Sequence, residues 1–375
     1  MKIFVTGDNH IGRKFDKYSF KDQLVESRFL CLKKMVEIAE REHCEFFIIT
    51  GDLFENTYSI VKKDIKRVVD ILAGFDQNVL ILPGNHDFYS GNEQLWRDFM
   101  EVANAYSNII VLNQYQPYPF DSGDGPIVFY PAHCDSKRSD TNRLEWIKAM
   151  EIDGTGKYNI GLAHGALEGL AIDKEGVYFP MSRTELHGIP VDLWLLGHAH
   201  VTEPAIPADE EVSGYTIFNA GTHEQLDLHN NTEGNAFVIT LHNNDGIKKV
   251  LAKRIVTGKI RYFDEKLVFD ATDNKPLERV IEDLVKDYPS SSVVRLTISG
   301  SIDADEYQEK EAIYEAQLGR FLCYEIIDNN LSEKITRDKI ESEFSEIGFA
   351  AKFLKELLED PIELQMAYDV VKSLK

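Results

Sequence analysis

Asn78-Val79-Leu80-Ile81-Leu82-Pro83-Gly84-Asn85-His86-Asp87 is the stretch on which the reading of this chain turns. Its first half is an unbroken apolar run, as expected of a strand buried on both faces of a parallel sheet. Its second half is a turn of Pro, Gly, Asn and Asp with a histidine inside it. An asparagine, a histidine and a carboxylate are thus presented at the carboxyl end of a strand, where open α/β sheets bind their ligands. Alone this is a polar turn, but four other strand ends in the chain carry metal-ligating residues in the same way.

Upstream, the strand Lys2–Thr6 ends in Gly7-Asp8-Asn9-His10-Ile11-Gly12, and the strand at 46–50 ends in Gly51-Asp52-Leu53-Phe54-Glu55. Val25, Phe29, Leu32, Val36 and Ala39 recur at helical spacing between them, and Ile65, Val68, Val69 and Leu72 mark a second helix before residue 78. Strand, helix, strand, helix, strand is the succession of a sheet with crossover helices. After Asp87 a third helix carries Leu95, Trp96, Phe99 and Val102, a wide apolar face that serves either a core or a dimer contact. Downstream, strands are expected at 127–130, 160–163, 193–196, 216–219 and 236–241. The second of these runs into His164-Gly165 and the third into Gly197-His198-Ala199-His200.

The strand ends together supply Asp8, His10, Asp52, Asn85, His164, His198 and His200. Seven oxygen and nitrogen donors with no thiolate suit two divalent ions of the manganese, iron or zinc kind. Two such ions, about 3.5–4 Å apart, clamp phosphate oxygens and activate water for displacement at phosphorus. His86, left over beside Asn85, is placed to steady the phosphate or to protonate the leaving oxygen. Each element by itself has a plainer reading as a structural turn or a hydrogen-bonded histidine. Five polar strand ends gathered in one chain need a shared purpose.

Composition bounds the rest. With 43% hydrophobic and 28% charged residues over 375 positions, the chain is a globular protein with room for more than one domain. Residues 2–6 already read as a strand, so a signal peptide is not expected. No apolar run reaches membrane length, and a cytoplasmic protein that does not touch the membrane is the expectation. Cys31, Cys44, Cys134 and Cys323 are scattered and read as reduced, buried thiols rather than zinc ligands. The net charge is −22, and residues 262–375 hold 26 acidic against 14 basic residues, so that part is poorly suited to gripping phosphates unaided. Basic groups occur at Arg13, Lys14 and Lys17, at Lys137, Arg138 and Arg143, and in the acid-free run 247–261. A boundary is expected near Thr257-Gly258. Beyond it lie a helix opened by Asn274-Lys275-Pro276, strands at 292–298 and 321–327, and an amphipathic helical end from about Thr336.

Asp-x-His, Gly-Asp, Gly-Asn-His-Asp, His and Gly-His-x-His, in that order, closely resemble the calcineurin-like metallophosphoesterases. The resemblance implies an α/β two-sheet sandwich flanked by helices, the four-layer metallophosphoesterase fold, around a dinuclear centre. It implies Asp8, His10 and His200 on one ion, Asn85, His164 and His198 on the other, Asp52 between them, and His86 as the catalytic histidine. Asp8-Asn9-His10-Ile11-Gly12, Gly51-Asp52-Leu53-Phe54, the stretch 192–200, and Asn219-Ala220-Gly221-Thr222 with Glu224 are similar to the SbcD-type DNA repair nucleases. The stretch 293–300 resembles a strand of their capping domain.

That likeness implies a nuclease domain at 1–257, a small α+β capping domain at 258–335 and C-terminal helices at 336–375. It further implies manganese as cofactor, exo- and endonuclease activity on DNA, a homodimer, and an SMC-like ATPase partner held by the C-terminal helices. Arg13, Lys14 and Glu55 are the expected substrate contacts, Glu55 standing where many DNA-processing relatives have a histidine. The alternative is a phosphodiesterase or phosphatase on a small or protein substrate. Protein phosphatases of the superfamily carry Arg-Gly where this chain has Asn56-Thr57, and Glu in place of Asp87.

Overall fold

The three apolar runs of the opening pair side by side in parallel, with Thr6, Ile49 and Ile81 in register at their carboxyl ends. The structure, a computed structural model, describes residues 1–123, 125–154, 156–171, 173–229, 232–244, 247–269, 275–345 and 348–374. It divides into two units, Met1–Ile260 and Arg261–Lys375.

The first unit begins β1 (Lys2–Thr6), α1 (Lys21–Arg41), β2 (Phe46–Ile49), α2 (Lys62–Leu72), β3 (Asn78–Ile81), α3 (Gln94–Ala103), β4 (Ile109–Val111) and β5 (Tyr118–Ser122). It continues with β6 (Gly125–Ala132), α4 (Glu145–Lys148), β7 (Tyr158–His164), α5 (Arg183–His187), β8 (Leu193–Gly197), β9 (Glu211–Ser213), β10 (Ile217–Asn219), β11 (Asn235–Asn244) and β12 (Ile247–Val256). One sheet has the order β4-β3-β2-β1-β11-β12-β9 and the other β10-β8-β7-β6-β5. Side chains alternate across the first sheet as the strand period requires. Phe4, Phe47 and Val79 meet the helices α1, α2 and α3, while Ile3, Val5, Phe46, Ile48 and Leu80 meet Phe129, Ile160, Leu162 and Leu195 of the second sheet. The outer face of that second sheet packs Trp194 and Leu196 against Ile147 and Leu186. These layers form the expected sandwich, each large buried side chain contributing roughly 1.5–3 kcal/mol.

The apolar face of α3 is used inside the unit: Leu95, Trp96 and Phe99 are buried in the same core as Phe54. Of the two readings the pattern allowed, the core is the one realised. The acid-free run 247–261 is largely β12, paired antiparallel with β11. Its cations are mostly tied down, Lys248 to Asp192 at 2.8 Å, Lys253 to Glu42 at 2.8 Å and Arg254 to Glu233 at 3.4 Å. No cysteine is disulfide-bonded; three are buried as expected, while Cys323 is half-buried.

The second unit holds β13 (Arg261–Phe269), α6 (Leu277–Val285), β14 (Ser292–Ile302), α7 (Ala304–Leu318) and β15 (Cys323–Glu333), followed by α8 (Arg337–Glu343), α9 (Phe349–Glu356) and α10 (Pro361–Ser373). The three strands are parallel, in the order β13-β14-β15, with α6 and α7 as crossovers. Pro276 stands just ahead of α6; Asn274, expected to open that helix, lies outside the described residues. Ile340, Ala351, Leu354, Leu364 and Tyr368 form a small core of their own, apart from the one under the strands. Among the described residues no helix is long and apolar enough to cross a membrane.

Candidate metal centre

Register explains why the predicted site residues meet. In the first sheet Thr6, Ile49 and Ile81 end level, and in the second His164 lies beside Gly197, so five turns leave one edge of the sandwich. Asp8, His10, Asp52 and His198 all have positive φ, at 49°, 46°, 52° and 96°. Such backbone costs on the order of 1–3 kcal/mol per residue and persists only where the surroundings enforce it. The turns also pack too tightly for side chains: a Cβ on Gly84 would strike the Asp52 carboxylate.

The structure brings all seven predicted donors together. His10 Nε2 lies 3.0 Å from His200 Nε2, and His200 Nε2 lies 3.9 Å from Asp8 Oδ1. Asn85 Oδ1 is 3.0 Å from both His164 Nε2 and His198 Nδ1. Asp52 Oδ2 stands between the two groups, 4.0 Å from His10 Nε2 and 3.3 Å from His164 Nε2. Asp8, His10 and His200 make one set that a cation would satisfy, and Asp8, Asp52 and His164 another. The far nitrogens are anchored: His164 Nδ1 is 2.9 Å from the Thr50 carbonyl and His10 Nδ1 is 3.0 Å from Glu55 Oε2. Each anchor turns the other ring nitrogen, with its lone pair, inward.

Electrostatics point the same way. Burial lowers His200 to about 2 and His198 to about 4, so both are neutral donors. Burial pushes Asp8 up to about 8. At Asp52 burial acts upward as well, but the neighbouring His164 outweighs it and holds this carboxyl well below its usual range. His164 in turn is opposed by burial yet raised to about 9 by Asp52. The neutral imidazoles of His10, His198 and His200 beside the buried carboxylates of Asp8 and Asp52 fit divalent cations.

His86 sits beside this cluster, partly exposed. Its backbone N–H donates to Asp52 Oδ1 at 2.8 Å, and its Nδ1 lies 2.9 Å from the Glu55 carbonyl. A carbonyl only accepts, so Nδ1 carries the hydrogen and Nε2 is the free position. Of the expected substrate contacts, Arg13 pairs with Asp227 at 3.7 Å, Lys14 is exposed, and the Glu55 carboxylate turns to His10.

Several supporting roles escaped the sequence reading. Arg28, buried on α1, donates through Nε and Nη2 to the Asn9 carbonyl at 2.9 and 2.5 Å, and Thr222 Oγ1 donates to the Asp8 carbonyl at 3.0 Å. Together they clamp the left-handed turn that aims Asp8 and His10. The signal was present: Leu24, Ser27, Arg28, Cys31 and Met35 recur at helical spacing as a second buried stripe on α1. Asp87 accepts from the backbone of Gly84 at 2.7 Å and of Phe54 at 3.0 Å, tying two ligand turns together. Tyr178 lies against His198 with ring centroids 5.3 Å apart.

Comparison with known proteins agrees with this chemistry. Residues 1–202 match the family described as calcineurin-like phosphoesterase. The chain is 24% identical over 180 residues to the uncharacterized metallophosphoesterase YhaO of Bacillus subtilis (strain 168), covering 48% of this chain and 42% of that protein. It thus spans less than half the length of that relative. Among solved structures it is similar to a dimetal phosphatase from Danio rerio at a TM-score of 0.35 and 10% identity, over 68% of this chain and 99% of that one.

Proposed function

The chain belongs to the calcineurin-like phosphoesterases, matched over more than half of its length, and from that membership we propose that it is a manganese-dependent nuclease cleaving DNA phosphodiesters. As a member of that family it is a metal-dependent hydrolase of phosphate esters. Asp8, His10 and His200 would hold one ion and Asn85, His164 and His198 a second, with Asp52 placed between the two groups. Bound divalent ions supply a clamp for the phosphate oxygens and an activated water. The protein's own part is to hold the donors rigid, to anchor the far nitrogens of His164 and His10, and to present His86. With Nδ1 committed to the Glu55 carbonyl, His86 holds or gives up a proton at Nε2, where a leaving oxygen needs one.

The observation that carries the diester reading is the use made of Asn56. Its Oδ1 accepts from the backbone of Tyr58 at 3.1 Å and of Ser59 at 2.7 Å, so it caps a turn where protein phosphatases place an arginine. A monoester dianion asks for such a cation beside the metals; a diester carries a single negative charge. Hydrolysis of a small diester or a monoester on the same donors is the second reading. The proposal extends to a partner: an SMC-like ATPase docked on the C-terminal helices, where Phe349, Met366, Val370 and Leu374 are exposed. A homodimer would use a surface other than Leu95, Trp96 and Phe99, which face inward.

The test is an assay of the purified chain on end-labelled single- and double-stranded DNA with manganese and with magnesium, beside His86→Ala. Manganese-dependent cutting that falls by about 10²–10⁴ in the variant is the expected result. Intact DNA alongside hydrolysis of an aryl phosphodiester would overturn the nuclease reading and leave the small-diester one.

A further inference from the structure

Two loops rim the centre on the side of His164 and His198. Residues 133–143 follow β6, and Cys134 Sγ there donates to the His164 carbonyl at 3.3 Å. Residues 173–179 follow β7, and Ser139 is bridged to Tyr178, its N–H donating to the Val177 carbonyl at 2.8 Å. The loops are therefore one structure, fastened to the ligand-bearing strands.

In a chain of net charge −22 these loops are balanced, with Lys137, Arg138, Arg143 and Lys174 against Asp135, Asp140, Asp173 and Glu175, and they are rich in aromatic rings. Asp135 is neutralised by Arg143, bound through two contacts of 2.8 Å, and Asp173 accepts from the Tyr178 backbone at 2.9 Å. Lys137 and Arg138 are exposed, as are Lys174 and the carboxylates of Asp140 and Glu175. The Arg138 guanidinium stands 5.6 Å over the Tyr178 ring, which itself lies 5.3 Å from His198, so this cation is at most about 11 Å from a ligand ring. At the start of the same loop His133 stacks on Tyr115, with centroids 4.3 Å and planes 16° apart, and the Tyr115 hydroxyl reaches Asp135 at 3.3 Å. Tyr115 remains 38% exposed.

One loop thus carries an exposed cation over the ring that meets His198 and a histidine that covers one face of Tyr115, and a cation with a half-covered ring is what an unpaired nucleotide needs. The cation takes a phosphate and the ring takes a base, and stacking tolerates any base. We propose that this rim is a nucleotide subsite for the strand being cut, in which Arg138 binds a phosphate flanking the scissile one and Tyr115 stacks an unpaired base. The inference rests on the nuclease reading above and assigns its preference to single-stranded or frayed ends. A fully paired base cannot leave its stack to reach Tyr115 without the cost of unpairing.

The experiment compares wild type, Arg138→Gln and Tyr115→Leu in the intact chain with manganese. It measures kcat/KM on a short single-stranded oligonucleotide relative to an aryl phosphodiester too small to reach the rim. Oligonucleotide affinity is followed by fluorescence anisotropy. Each variant is expected to lower the oligonucleotide-to-aryl ratio and weaken affinity by about tenfold. Tyr115→Leu should lose the wild-type preference for an oligonucleotide with a base over one abasic at the flanking position. Wild-type ratios and affinities in both variants would overturn the subsite while leaving the nuclease intact. A wild type that hydrolyses only the aryl diester would overturn the nuclease reading, and the subsite with it.

Discussion

His164 and Asp8 carry the sharpest consequence at the scale of single residues. With His164 raised to about 9 and Asp8 to about 8, both hold protons near neutrality, and both must lose them to act as ligands. The sign follows: cation binding releases protons, so affinity is greatest above these values and is lost as pH falls through them. Each released proton makes the apparent affinity change by up to about tenfold per pH unit. Calorimetric manganese titrations at pH 6.5 and 8.5 check this; equal affinities at the two values, with no proton release on changing buffer, would remove the argument. Gly84 offers a second test. Because a Cβ there meets Asp52, Gly84→Ala should lose the carboxylate that reaches both donor groups, seen as a drop from two bound ions per chain by elemental analysis.

Helix α3 ties packing to chemistry at the scale of the element. Trp96 is fully buried, and its Nε1 donates to the Asp87 carbonyl at 2.6 Å, one residue past His86. Trp96→Phe keeps most of the apolar contact and removes that bond; a stability loss of about 1 kcal/mol is expected, with weaker metal binding and slower turnover. Urea unfolding and metal titration separate the two effects, and Trp96→Ala should cost about 3–5 kcal/mol. Much of this was legible in the sequence. Buried parallel strands are written as unbroken apolar runs, so β1, β2, β3, β7 and β8 and the donors behind them could be found by eye. β12 was not, because its partly exposed lysines and arginines read as a charge run until paired with β11. α7 was missed as well, since Tyr314 and Leu318 are its only buried residues and no apolar stripe announces it. Arg28 stayed hidden for the opposite reason: a charged side chain on a buried stripe looks like a surface residue until its carbonyl acceptor is seen.

The two cores of the second unit make a prediction at the scale of the whole molecule. The helices α8, α9 and α10 enclose Ile340, Leu354 and Tyr368, while the strands enclose Leu296, Ile298 and Tyr314. A chain ended at residue 335 should therefore keep its metal content and its turnover of an aryl diester, and, if the proposed partnership holds, lose binding of an SMC-like ATPase in a pull-down. Undiminished binding would place the partner elsewhere. The first unit sets a different constraint, through the order in which its donors are synthesised. His10 and His200 touch across 190 residues of chain, and His164 reaches Asn85 across 79. Such contacts wait for the long loops between them to close, and they come late on the folding route. On a ribosome the amino-terminal donors emerge first and can only idle until both sheets have docked. Cation capture thus marks a finished first unit, and a nascent chain that has not yet delivered His198 and His200 lacks a complete donor set.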